Sequence, residues 1–161
     1  MDKIKINEVV EVYFKAMLAG YFGEKSGEVT IEKINNKKTL TYKDGNFIVV
    51  DSYTDNFGTT EISWRGNTVW MMFYYGHYST EAIPHLIAAL KPQLENKIWL
   101  GGRGPKLVEM GKYFYENIVE ANDPMEFRGM ESITSLGLDD KPVVIGYHRY
   151  CGKAVEEFME R

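Results

Sequence analysis

Residues 68–75 read Thr68-Val69-Trp70-Met71-Met72-Phe73-Tyr74-Tyr75, an almost wholly apolar run set between the turn signal Arg65-Gly66-Asn67 and Gly76. The run is far too short to cross a bilayer, and its length and β-rich composition predict a central strand buried on both faces. Strand alternation assigns Trp70, Met72 and Tyr74 to one face and Val69, Met71, Phe73 and Tyr75 to the other. Upstream, residues 59–64, 47–53, 38–43 and 29–34 read as further strands, with Asp44-Gly45 marking a tight hairpin. An antiparallel meander is the simplest arrangement of these segments.

Before the strands, apolar residues at Val9, Val10, Tyr13, Phe14, Met17 and Leu18 repeat at helical spacing. The helix is expected to start after Asn7 as N-cap, to pair Glu11 with Lys15 on its outer side, and to end at Gly20 and Gly23. After the run, Ser79 and Thr80 offer caps for a second helix with Ile83, Leu86, Ile87 and Leu90 on one face and Pro84 in its first turn. Beyond Leu100-Gly101-Gly102-Arg103-Gly104-Pro105, strands are expected at 112–120, 127–134 and 142–150, followed by a short helix carrying Val155, Phe158 and Met159. The fold class is α+β, with antiparallel sheet built from two similar βββ halves in the approximate order α-βββ-α-βββ-α.

A single domain over 1–161 with an internal duplication, about 38–91 and 106–160, follows from this recurrence. Gly45-Asn46-Phe47 aligns with Gly111-Lys112-Tyr113, and Phe57-Gly58-Thr59-Thr60-Glu61 with Phe127-Arg128-Gly129-Met130-Glu131. Phe73-Tyr74-Tyr75 is set against Gly146-Tyr147-His148. Equivalent places for Glu61 and Glu131 follow from the second alignment.

Composition narrows the functional classes. Hydrophobic residues at 44% and charged residues at 26% fit a folded domain and neither a disordered nor a membrane-spanning chain. The start, Met1-Asp2-Lys3-Ile4-Lys5, lacks the apolar stretch of a signal peptide, so a cytoplasmic location is expected. A lone Cys151, expected to be buried, rules out an internal disulfide. The formal charge of −4 and the lack of a basic run argue against direct nucleic acid binding.

Eleven Tyr, eight Phe and three Trp can fill a core or line a pocket. The candidate ligand-binding residues are Trp64, Trp70, Tyr74, Tyr75, His77, Arg103, Tyr147, His148, Arg149, Glu61 and Glu131. Rings supply flat contact surfaces and phenols or indoles fix orientation, although ordinary core packing accounts for the same residues. Glu61 and Glu131 could act as an acid/base pair, with His77, His148 or Arg149 beside them. The loop 101–105 could hold an anion on exposed backbone N–H groups and Arg103, or could simply connect the halves. Histidine spacing fits no zinc motif and no nucleophile elbow is present, so no metal and no cofactor are expected.

Several stretches together resemble a bacterial and archaeal family of unknown function, found alone or fused behind a phage-repressor-type helix-turn-helix. They include Phe14-Lys15-Ala16-Met17-Leu18-Ala19-Gly20-Tyr21, Tyr42-Lys43-Asp44-Gly45-Asn46-Phe47, Asp51-Ser52-Tyr53, Arg103-Gly104-Pro105 and Gly111-Lys112-Tyr113-Phe114-Tyr115-Glu116-Asn117. Val69-Trp70-Met71-Met72-Phe73-Tyr74-Tyr75-Gly76 and Phe127-Arg128-Gly129-Met130-Glu131-Ser132-Ile133 complete the set, whereas Tyr147-His148-Arg149-Tyr150 departs from the family's glycine-rich ending. The resemblance implies no activity; fusion to DNA-binding modules implies a sensor domain by analogy. The leading expectation is a noncatalytic small-molecule-binding or sensory domain with an aromatic-lined pocket. A hydrolase- or isomerase-like enzyme using Glu61 and Glu131 is one alternative. A protein-interaction module, working through a partner protein or a homo-oligomer, is another.

Overall fold

Alternating apolar and polar positions from Lys37 onward satisfy both the backbone and the apolar side chains only in a sheet with one face covered. The structure, a computed structural model, describes residues 2–160. Among these the chain forms α1 (Ile6–Phe22), β1 (Glu28–Ile34), β2 (Lys37–Asp44), β3 (Phe47–Tyr53), β4 (Phe57–Trp64) and β5 (Asn67–Tyr78). There follow α2 (Ile83–Glu95), β6 (Leu107–Met110), β7 (Tyr113–Asp123), β8 (Glu126–Leu136), β9 (Pro142–Ala154) and a 3-10 turn (Glu156–Phe158). All nine strands form one sheet in the order β1-β2-β3-β4-β5-β9-β8-β7-β6. Two antiparallel meanders meet where their last strands pair, β5 against β9.

The α+β class is as expected, but the order α-βββ-α-βββ-α is not. Five strands precede α2 and four follow it, β6 having carried too little apolar pattern to be anticipated. The expected closing helix is a single 3-10 turn, because Ile4 bridges Met159 just beyond it and holds the chain extended.

α1 begins at Ile6, one residue before the expected cap, and the Lys5 backbone N–H donates to the Glu8 carboxylate at 3.2 Å. The helix runs through Gly20, where a Cβ would stand 1.8 Å from Leu40 Cδ1, and closes at Gly23 with φ 71°. Glu11 and Lys15 do not pair; Lys15 bonds Asp44 at 2.9 Å and Glu11 meets Lys97 at 2.6 Å, since both face other elements. In α2, Pro84 does sit in the first turn, but Ile83 and Ile87 stay exposed while Ala89, Gln93 and Leu94 are buried. α2 turns that side toward α1 and β7.

Both helices and the connection 97–106 cover one face of the sheet, the inner face. Trp70 stacks on Phe127 with ring centroids 5.3 Å apart, and Tyr13 and Trp99 close over the pair. The outer face has no helix. Burial of β5 on both faces is therefore overturned: Met71, Phe73 and Tyr75 remain 41–45% exposed. Cys151, opposite Phe73 in β9, is likewise exposed rather than buried.

Two glycines let tyrosine rings lie flat on the inner face. Gly58 pairs with Tyr74 and Gly129 with Tyr150. A Cβ on Gly129 would stand 2.4 Å from the Tyr150 hydroxyl and 2.5 Å from the Ile118 carbonyl oxygen, a backbone atom that cannot step aside. Gly129→Ala is expected to cost about 1–3 kcal/mol of stability. A urea midpoint indistinguishable from that of the wild type would refute this close packing.

Candidate functional site

β8 turns Gly129, Glu131 and Ile133 inward, which places the Glu131 carboxylate beneath the connection 97–106 with no solvent exposure. Left-handed Gly101 and Gly102 fold that connection onto the sheet, and the Tyr13 hydroxyl donates to the Gly102 carbonyl at 2.8 Å. Arg103 is thereby delivered to Glu131. Its Nε donates to Oε1 at 2.9 Å and a terminal N–H donates to the same oxygen. Tyr115 donates to Oε2 at 2.7 Å and itself accepts from the Gly104 N–H at 2.9 Å. Burial by itself would raise the acid's pKa. The Arg103 charge and the Arg103 hydrogen bonds instead hold it at about 2.

His148 lies opposite Glu131 in β9. Its Nδ1 stands 3.6 Å from Glu131 Oε1, beyond hydrogen-bond length, and has no partner; nor has the buried Tyr78 hydroxyl. The imidazole meets the Tyr78 ring edge-on at 4.6 Å and the Tyr74 ring at 5.4 Å. Burial pushes its pKa below the ordinary histidine value, so it is neutral near neutral pH, Glu131 offsetting only part of the shift.

Asp51, on β3, is a second buried carboxylate. Thr60 donates to Oδ1 at 2.8 Å, Tyr74 to the same oxygen at 2.9 Å, and Tyr21 to Oδ2. Burial raises its pKa, and the three hydroxyl donors pull partly the other way. Arg103 Cζ, 5.9 Å from the Tyr74 ring centroid, links the two clusters.

The register gives the two meanders matching positions. Asp51 pairs with Thr60 as Asn117 pairs with Glu131, and Tyr74 donates to Asp51 as Tyr150 donates to Asn117. Glu131 thus corresponds to Thr60 and not to Glu61, and Tyr74 corresponds to Tyr150. The shift is one residue in β4, enough to move a side chain to the other face.

Four of the expected site residues come together: Tyr74, Arg103, Glu131 and His148. Glu61 lies on the outer face, accepting from Thr68 at 2.6 Å, so the carboxylate pair with Glu131 does not exist. Tyr75, His77, Tyr147 and Arg149 also project outward, because they share its strand parity. Trp70 is packed in the core, and Trp64 is half-buried beneath Arg65, whose Cζ is 4.6 Å from its ring. The loop 101–105 is no open anion cradle, since Arg103 is spent on Glu131. Asp51, Tyr21, Tyr78 and Tyr115 were missed. Asp51 carried one usable signal, an acid at an inward position between Val49 and Tyr53 of a strand.

Two surface concavities lie elsewhere, one bordered by Lys5, Glu11, Lys15 and Asp44 and one around Asn35 and Asn36. Among the described residues, no three His, Cys, Asp or Glu side chains converge as a metal site, and no helix is long and apolar enough to cross a membrane. No family model, no curated protein and no solved structure matches the chain.

Replacing Glu131 by Gln leaves Arg103 buried and unpaired, and a loss of about 3–5 kcal/mol is expected in chemical denaturation. A second expectation concerns pH. The folded state resists protonating His148, whereas the unfolded chain takes up that proton near the ordinary value of 6.5. Stability is therefore fully present above that value and falls with acidification. Urea midpoints at about pH 7.5 and about pH 5.5 should differ in the wild type and converge in His148→Gln; an equal drop in both would exclude His148 as the source.

Proposed function

We propose that this chain is a noncatalytic small-molecule-binding domain of the sensory kind, with its site on the inner face around His148. The carrying observation is the pair of unpartnered polar atoms, His148 Nδ1 and the Tyr78 hydroxyl, beside a buried ion pair. An unmade buried hydrogen bond costs about 1–3 kcal/mol, and a ligand that completes it recovers that cost. Gly76 brings no side chain between Tyr74 and Tyr78, and Tyr21, whose hydroxyl donates to Asp51, is 41% exposed.

Catalysis is the weaker reading. Glu131 is committed to Arg103 and Tyr115, and Glu61 points to the opposite face, so the enzyme alternative loses the paired carboxylates on which it rested. The family resemblance, with its fusions to DNA-binding modules, supplies a sensor's output by analogy. A thermal-shift screen against metabolites tests the proposal, because a ligand that binds only the folded state raises its melting temperature. Saturable stabilisation that weakens in Tyr78→Phe and His148→Gln is expected. Hits unaffected by either substitution would remove the site from consideration.

The outer face favours a second role, self-association. Phe57, Met71, Phe73, Tyr75 and Tyr147 are 41–54% exposed there, around Arg149, which has no ion pair among the described residues. Aromatic residues, Met and Arg are the side chains enriched at interfaces. Tyr75 pairs with Arg149 and His77 with Tyr147 across β5 and β9. A two-fold axis running along these strands would set Arg149 over the partner subunit's Tyr75, a self-complementary contact. Light scattering should show a dimer that Phe73→Glu converts to monomer; a wild type monomeric at every concentration would end this reading.

A further inference from the structure

Resting on the inner-face site just proposed, we infer that its ligand is a small organic cation, an amine or quaternary ammonium ion, held against tyrosine rings beside the Asp51 carboxylate. The charges around the site decide the class. Arg103 is the cation of the cluster and both its donor contacts go to Glu131. Asp51 receives bonds only from the hydroxyls of Tyr21, Thr60 and Tyr74. A hydroxyl stabilises a carboxylate without cancelling its charge. With a neutral imidazole at His148, the charges of Arg103, Glu131 and Asp51 sum to one negative when Asp51 is ionised.

The surrounding groups suit a cation and disfavour an anion. Tyr21 and Tyr53 stand at the rim with ring centroids 6.3 Å apart, and Tyr74 and Tyr78 flank Gly76 farther in. Ring faces are electron-rich and attract a cation within about 6 Å, most strongly where water is displaced. The chain already uses this chemistry at the rim, where Lys38 Nζ lies 6.0 Å from the Tyr53 ring centroid. An anion would meet the same ring faces and the Asp51 carboxylate, and the Arg103 donors are already committed to Glu131. A bare metal ion would find no cluster of three ligating side chains among the described residues. A primary amine adds N–H donors that the unpartnered Tyr78 hydroxyl can accept.

The experiment uses choline and tetramethylammonium as probes against two controls, acetate and the carbon isostere of choline in which a quaternary carbon replaces the nitrogen. Binding is read by thermal shift and by calorimetry at low salt. Both cations should bind saturably, the isostere and acetate should bind at least about tenfold more weakly, and Asp51→Asn should lose the preference for charge. Circular dichroism verifies that this variant folds; if it does not, Tyr21→Ala at the exposed rim takes its place and should weaken the cations alone. Binding of the isostere as tight as that of choline overturns the cation class. So does the absence of any cation binding up to about 50 mM. A neutral or anionic compound whose binding is lost in Tyr78→Phe would leave the site standing and remove only its charge preference. Cation binding unchanged in both Asp51→Asn and Tyr21→Ala would remove the site as well.

Discussion

The Glu131 carboxylate is buried beneath the connection between the two meanders and stays ionised, and the rest of the inner face is arranged around that charge. Arg103 must reach it, so the connection folds inward through two left-handed glycines. Tyr115 must donate to it, and the same hydroxyl then accepts from Gly104 and pins the loop a second time. Replacing such a pair by apolar residues is often neutral or favourable, so its value lies less in stability than in fixing one geometry. Here that geometry ties β7, β8 and the connection to one point.

Around this point the inner face divides into dry and polar parts. Trp70, Phe127, Trp99 and Tyr13 fill the dry part, where rings meet in stacked and edge-on contacts that leave no role for a ligand. One step along β5 the side chains become Tyr74 and Tyr78, separated by Gly76; Tyr74 donates to the Asp51 carboxylate and the Tyr78 hydroxyl stays without a partner. The outer face is a different environment again, a sheet surface with exposed aromatics and no covering helix. One strand, β5, therefore contributes to core, candidate site and exposed surface through nothing more than its two-residue period.

The helix of the first 22 residues, the hairpin at Asp44-Gly45 and eight of the nine strands were legible because each is announced by neighbouring residues. Four members of the polar cluster were legible as residue types that carry chemistry. Glu61 was misplaced because a one-residue offset between the halves is invisible in a chain rich in Gly, Phe and Tyr, yet it reverses the face. Asp51 and Tyr21 were passed over because their significance comes from one another: a tyrosine at the end of α1 becomes notable only once its hydroxyl reaches the carboxylate that Tyr74 also reaches.

Local pattern and composition settled that this chain is an α+β domain with a strand-rich interior and a central apolar strand, since periodicity and turn chemistry act over a few residues. Which face of that strand is covered was decided only when α1, α2 and the connection 97–106 settled on one side of the sheet. The same holds for the ion pair: Arg103 and Glu131 are 28 positions apart, and no short-range preference selects one for the other. Their meeting follows from strand register and from the cost of burying a charge without its opposite, which only the assembled tertiary structure imposes.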